Sequence, residues 1–468
     1  MTQGVVWKQL LGFAIPMSVG LLFQQMYNTF DAVVVGQFVG KEALAAVGST
    51  GSIVNMLVGL CAGLSTGASV VISQAYGAKD YKKLSDAVHT TILVTFILSI
   101  VATVSGILLV PPMLRLMNAP EDVFPQAKLY LTIYFSGVAG LLMYNMGAGI
   151  LRAVGDSRRP LYFLIFSATL DIGMNFLFVV VFHWDIKGVA YSTVIAQVLS
   201  AALVLYTLTR TDAPYAIRWG GLRIKPDILK KILSIGLPAS IQQAVTSFSN
   251  VFVQSYINSF GSGAMAGWSS YNKIDSYALV PVQSISLAST TFVGQNYGAG
   301  QIGRARKGVR QALTMSLVIT AVLCALMVVF RRPLVSIFTN DPEVLDFGGR
   351  FLAIISPFYV LICFNQIFSG ALRGTGRAKT PMIVMISSFV VFRQIYLFVS
   401  KLLGGGFLAV ALAYPAGWVV CSLVMAVVYL RSPLCRERDG EGAASPAGAS
   451  AAAEALEEAL SAGEGIEG

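Results

Sequence analysis

The chain has 468 residues, of which 55% are hydrophobic and only 12% charged. A soluble domain averages roughly 25% charged residues, so an ordinary water-soluble enzyme and an intrinsically disordered chain are both excluded. The formal net charge of +10 does not call for nucleic acid, because lysine and arginine accumulate in the cytosolic loops of membrane proteins. Cys61, Cys324, Cys363 and Cys421 lie in apolar runs and Cys435 in a polar tail, with no Cys-x-x-Cys pair. Neither a zinc site nor a disulfide framework is implied. No cleavable signal peptide is expected, since the first apolar run is too long and lacks a processing site.

Apolar runs of about 20 residues recur along the chain, each long enough to cross a hydrocarbon core of roughly 30 Å as a helix. They predict twelve spans, at 10–39, 43–73, 88–111, 129–151, 160–182, 188–208, 232–260, 264–293, 310–330, 348–371, 381–402 and 406–430. Of the 33 lysines and arginines, 23 fall in the N-terminus, the even-numbered loops, the C-terminus and their adjoining span ends. Eight fall at the opposite side, and Lys273 and Arg393 lie within spans. This asymmetry predicts cytosolic termini. Four regions follow: an N-terminal lobe at 1–208, a basic cytosolic linker at 209–231, a C-terminal lobe at 232–430 and a tail at 431–468. The tail is Ala/Gly/Glu-rich after Arg438 and is expected to be mostly disordered, apart from a short helix near 451–460.

The two halves repeat each other at an offset of 221–222 residues. Leu11-Gly12-Phe13-Ala14-Ile15-Pro16 matches Leu233-Ser234-Ile235-Gly236-Leu237-Pro238, and Gln74-Ala75-Tyr76-Gly77-Ala78 matches Gln295-Asn296-Tyr297-Gly298-Ala299. Leu151-Arg152, Gly155 and Pro160 match Leu372-Arg373, Gly376 and Pro381. Six spans per half give both halves one orientation, with a pseudo-two-fold axis along the membrane normal and a cavity between them. The predicted fold is therefore an all-α polytopic membrane protein of twelve transmembrane helices, arranged as two six-helix repeats around a central cavity. Each motif also has a scaffold or gating role. Gly77 and Gly298 can end a helix with positive φ, Arg152 and Arg373 can anchor to headgroups, and Pro160 and Pro381 suit a first helical turn.

Ionisable side chains within spans are costly and face a cavity or a partner. Gln24, Asn28 and Asp31 share one helical face. The second half repeats that stripe at Thr246 and Asn250, with Val253 opposite Asp31. At 1.5 Å per residue, Asp31, Asn175, Asp171 and Thr193 fall about 12, 10, 17 and 8 Å from the outer ends of their spans. Together they can form a pocket of oxygen ligands for sodium or for a shared proton. Lys273 and Asp275 point to different sides of span 8. Asp275 can either pair with Arg393 or line the cavity.

The duplication, the Gln-x-Tyr-Gly-Ala ends and the Leu-Arg-x-x-Gly-x-x-basic-x-Pro ends resemble those of multidrug and toxic compound extrusion (MATE) transporters, closest to the bacterial branches. The resemblance covers residues 8–432 and implies efflux of amphipathic, often cationic compounds in exchange for sodium or protons. It implies a coupling role for Asp31, 15 residues after the helix-bending Pro16, and for Thr193; Pro238 is the second bending proline. The family's span-5 motif reads Asn-x-x-x-Asp, whereas here it is Asp171-x-x-x-Asn175, which moves the second charge by a turn. Thr246 and Ile362 stand where some members carry the acids of a second-half cation site.

These readings predict Asp31, Asp171, Asn175 and Thr193 as coupling residues, and as sodium ligands if sodium drives transport. Gln24, Asn28, Thr246, Asn250, Lys273, Asp275 and Arg393 are the predicted substrate-cavity residues. No catalytic residues and no cofactor are expected, the coupling ion being itself transported. The expected partners are amphipathic small molecules and the lipid bilayer, not nucleic acid, for a monomer in the bacterial inner membrane. An enzyme is disfavoured: Gly63-Leu64-Ser65-Thr66-Gly67 fits Gly-x-Ser-x-Gly but lies within span 2, where Gly59, Gly63 and Gly67 suit close helix packing. His89 and His183 are far apart, and no Walker A sequence occurs. A flippase of lipid-linked oligosaccharides is the alternative, and a channel is a more distant one.

Overall fold

Every predicted span is helical in the computed structural model, which describes residues 1–39, 41–116, 121 and 123–436. The helices are α1 (Val6–Val39), α2 (Lys41–Gly77), α3 (Tyr81–Leu116), α4 (Phe124–Ser136 with Val138–Ala153), α5 (Arg158–Val181) and α6 (Asp185–Arg210) in the first lobe. The second lobe holds α7 (Pro226–Asn258), α8 (Ser262–Ala278 with Val280–Gly298), α9 (Ile302–Val329), α10 (Pro342–Gly374), α11 (Lys379–Leu402) and α12 (Phe407–Leu430). No strand occurs among the described residues. The tail expectations for 437–468 lie outside them.

The packing is that of a membrane bundle. Among the described residues nine helices are each long and apolar enough to cross a bilayer, and the bent α4 makes ten. The most apolar stretches are poorly buried: in α3 and α9 only 22% and 28% of the most apolar window is covered by protein. Apolar surface in that amount is stable against hydrocarbon, not water. The two remaining helices, α7 and α8, carry Gln242, Gln243, Thr246 and Ser249, and Ser284, Ser286 and Ser289. Their polarity follows from their position at the centre of the molecule.

The lobes meet through a symmetric exchange. α2 packs on α7, its repeat counterpart α8 packs on α1, and α2 and α8 touch each other at the axis. The predicted close packing of α2 is present: a Cβ on Gly63 or Gly67 would collide with Ser240 or with the backbone of Ile232 and Gly236. Gly77 and Gly298 do not adopt positive φ, contrary to expectation; Gly155 (φ 100°) and Gly376 (φ 88°) do. The role of Gly77 and Gly298 is close approach, since a Cβ on either would overlap the backbone of Gln295 or Gln74 across the lobe interface. The same glutamines close the seam. Gln74 Nε2 donates to Gly374 O at 2.9 Å, and Gln295 Nε2 to Ala153 O at 2.7 Å.

This sealed seam lies at the end of the bundle where α6 hands over to α7, called here the linker end. The connection is strapped onto α3. Arg218 N donates to His89 Nε2 at 3.0 Å and Lys225 N to Thr90 Oγ1 at 3.2 Å. Pro226 starts α7, a position where its missing N–H costs nothing, so 226–231 of the expected linker form the first turns of that helix. Pro160 and Pro381 lie in the first turns of α5 and α11, and Pro16 and Pro238 lie inside α1 and α7.

Candidate functional site

A central cavity of about 770 Å³ lies between the lobes and runs up from the linker end. α1, α2, α4, α5 and α6 line it on one side, and α7, α8, α10 and α11 on the other. Gln24, Asp171, Thr193 and Thr246 are in its wall. Of the other predicted cavity residues, Asn28, Asn250, Lys273, Asp275 and Arg393 are not among its lining residues, and each has a different setting.

In the first lobe a polar chain links three helices. Asn175 Nδ2 donates to Asp31 Oδ1 at 2.7 Å, and Asn175 Oδ1 accepts from Ser192 Oγ at 2.6 Å. The asparagine is thereby held between α1 and α6, fully buried. One turn nearer the linker end on the same face of α5, Asp171 is 1% exposed; neither carboxylate oxygen has a well-formed hydrogen bond, and Ser192, whose hydroxyl goes to Asn175, is the side chain that approaches it. It interacts electrostatically with Asp31. Thr193 gives its hydroxyl proton to Val189 O at 3.0 Å, leaving its lone pairs free to coordinate. The structure thus brings Asp31, Asn175 and Asp171 together, and places Thr193 with Asp171 in the cavity wall. Asp171 reaches the cavity wall, whereas Asp31 and Asn175 sit behind it.

That arrangement has a chemical consequence. Buried polar atoms in native structures are nearly always satisfied, and a buried unpaired carboxylate is expensive to keep charged. Asp171 therefore calls for a proton or a cation. A carboxylate, an amide oxygen and hydroxyls are hard oxygen donors, the type that alkali and alkaline-earth cations take. Among the described residues no group of three or more His, Cys, Asp and Glu side chains forms a transition-metal cluster. The residue that sequence reasoning missed is Ser192. Its neighbour Thr193 drew attention, yet Ser192 orients Asn175; only helix rotation distinguishes the two.

The second lobe fills the corresponding space differently. Arg393 Nη2 donates to Ser249 Oγ and Asn250 Oδ1, both at 2.8 Å, and its guanidinium lies 4.6 Å from the Tyr414 ring centroid. Asp275 accepts from Tyr359, and from Tyr271 at 3.5 Å. The possible Asp275–Arg393 ion pair is not formed: the acid is held by Tyr359 and Tyr271 and the base by Ser249 and Asn250. Each charged group finds neutral partners on nearer helices instead. Lys273 is exposed, with its ammonium 5.3 Å from the Phe338 ring centroid.

Two parallel lobes around a central cavity, with a buried acid in one wall, define the architecture of a duplicated helical transporter. The MatE family profile matches residues 16–177 and again 238–399, an offset of 222 residues at both ends. The chain is 30% identical to the "Probable multidrug resistance protein YoeA" of Bacillus subtilis over 390 residues, covering 81% of this chain and 84% of that protein. It is 30% identical to the "Probable multidrug resistance protein YpnP" of the same organism, covering 84% and 88%. A solved structure of a multidrug resistance MATE family transporter of the MOP superfamily, in an outward-facing conformation, superposes with a TM-score of 0.87 at 24% identity. That similarity covers 92% of this chain and 96% of the other. The chain belongs to the MatE family of multidrug efflux transporters.

Proposed function

We propose that the protein is an antiporter that exports amphipathic compounds, cations among them, in exchange for sodium ions or protons. It works as a monomer in the bacterial plasma membrane, with the linker end facing the cytosol. The observation that carries the reading is Asp171: a buried carboxylate without a well-formed hydrogen bond, forming part of the cavity wall and interacting electrostatically with Asp31. An incoming cation or proton and the cationic group of a substrate both neutralise it, so the two compete for one acid. The seam at the linker end, closed by Gln74 and Gln295, supports a state sealed toward the cytosol. Rocking the lobes about their axial contacts then exposes the cavity to the other side.

Occupancy of Asp171 also changes the lobe equilibrium. The Asp31–Asn175–Ser192 chain ties α1 to α5 and α6, and α1 packs on the second lobe through α8. A ligand with different affinity for the two lobe arrangements shifts their populations by that difference. The test is efflux of a fluorescent amphipathic cation from proteoliposomes, with sodium and proton gradients imposed separately. Efflux driven by one gradient and absent without any is the expected result. Passive, non-saturating flux would mean a channel instead.

A further inference from the structure

Arg152 and Arg373 occupy equivalent positions in the two lobes, at the linker ends of α4 and α10. Both line the central cavity rather than pointing to headgroups. Neither has an ion-pair partner among the described residues. Among the described residues the Arg152 guanidinium makes no hydrogen bond, and that of Arg373 makes one weak bond, from Nε to Ser369 O of its own helix at 3.4 Å. The one acid in the cavity wall, Asp171, is 13 residues along α5 from Arg158, about 20 Å farther from the linker end. Two guanidinium groups therefore stand at the cavity floor without a counter-charge. Cations removed from bulk water without partners are costly, and guanidinium presents a planar fork suited to carboxylate and phosphate oxygens.

We propose that Arg152 and Arg373 form an anion subsite at the cavity floor, binding a carboxylate or phosphate group of the transported amphipath. This rests on the transporter reading above and specifies its substrate: a compound whose acidic group lies toward the linker end, and whose basic group, if it has one, reaches Asp171. The subsite has a mechanical consequence. Arg152 precedes Ala153, whose carbonyl is held by Gln295, and Arg373 precedes Gly374, whose carbonyl is held by Gln74. One arginine comes from each lobe, directly at the seam. An anion held at these arginines neutralises charge beside the residues that close the seam and favours closure at the linker end, the direction that loading for export requires.

The test uses three probes with one aromatic body: dansylglycine (anionic), dansylglycinamide (neutral) and N-dansylethylenediamine (cationic). Their binding to the full chain in nanodiscs is followed by dansyl fluorescence. The wild type binds dansylglycine about ten-fold more tightly than the amide, the size of one charge-assisted hydrogen bond. Arg152→Gln and Arg373→Gln each remove that preference and tighten N-dansylethylenediamine binding, a gain that a misfolded protein cannot show. Arg152→Lys, which keeps the charge, retains part of the preference. Equal binding of dansylglycine and its amide by wild type, or an undiminished preference in both Gln variants, overturns the subsite. Polyprenyl phosphate added to the nanodisc displaces dansylglycine if the natural anion is lipid-borne and leaves it bound if it is a free amphipath; either result presupposes the subsite. Gradient-driven efflux of N-dansylethylenediamine is measured in parallel. Its absence together with an intact head-group preference would remove the antiport reading and leave the subsite standing.

Discussion

At one position of the repeat the two lobes carry opposite charges. The profile match that pairs residue 16 with 238 and 177 with 399 pairs Asp171 with Arg393. The acid is buried without a well-formed hydrogen bond; the base is bonded to Ser249 and Asn250 and stacked on Tyr414. Asp31 faces Val253 in the same comparison. Duplication therefore preserved the helical frame and its closed seam, while the polar interior diverged. One lobe keeps an unsatisfied group that ions can fill. In the other, Asp275 and Arg393 are bonded to neutral tyrosine, serine and asparagine side chains.

The sharpest way to break the contrast is to exchange the roles of its central pair. Asp171→Asn should lower gradient-driven efflux by about a hundredfold, near the upper end of ordinary coupling energies of ~1–3 kcal/mol. Its melting temperature should hold or rise, because a poorly bonded buried carboxylate is gone. Arg393→Leu should do the reverse: it removes two charge-assisted bonds, to Ser249 and Asn250, and lowers stability by about 3 kcal/mol, with efflux per folded molecule held within about twofold. Thermal unfolding and proteoliposome efflux at matched protein levels check both. Severe efflux loss in Arg393→Leu at normal stability would move coupling to the second lobe.

Smaller effects sharpen the division. Asp31→Asn should reduce coupled efflux by about tenfold, because an amide oxygen still accepts from Asn175 while the charge is lost, a difference of ~1.5 kcal/mol. Gln295→Ala removes two bonds between the lobes, to Ala153 O and from the Met1 amino group, costing more than the ~1 kcal/mol of a single bond, and should speed deuterium uptake in 292–298 about tenfold. Ser192→Ala frees Asn175 to rotate and should raise the half-saturating ion concentration about threefold, within the cost of one neutral hydrogen bond. That last shift is read from efflux titrated against the driving ion.

Much of this architecture is legible in the chain. The spans, the duplication and the three glycines of α2 follow from apolar run length and spacing. So does the proximity of Asp31 to Asn175 and Asp171, since rise per residue sets depth. Other features are not visible in that arithmetic. Depth does not give rotation, so Ser192 was hidden behind Thr193 and Lys273 was placed in a cavity it does not line. Nor does an intramembrane charge name its partner: Asp275 turned to Tyr359 and Tyr271 rather than to Arg393.

The sequence by itself determined a twelve-helix membrane bundle made of two parallel halves, because hydrophobic length, charge asymmetry and an internal repeat are one-dimensional properties. Tertiary structure alone decided which charges meet water or substrate. Arg152 and Arg373 end their helices at a membrane boundary in the sequence, yet the meeting of the lobes turns that boundary into the floor of a cavity. The physical reason is that a helix fixes the level of a side chain along the membrane normal, while its direction depends on the rotation of the helix against neighbours distant in the chain.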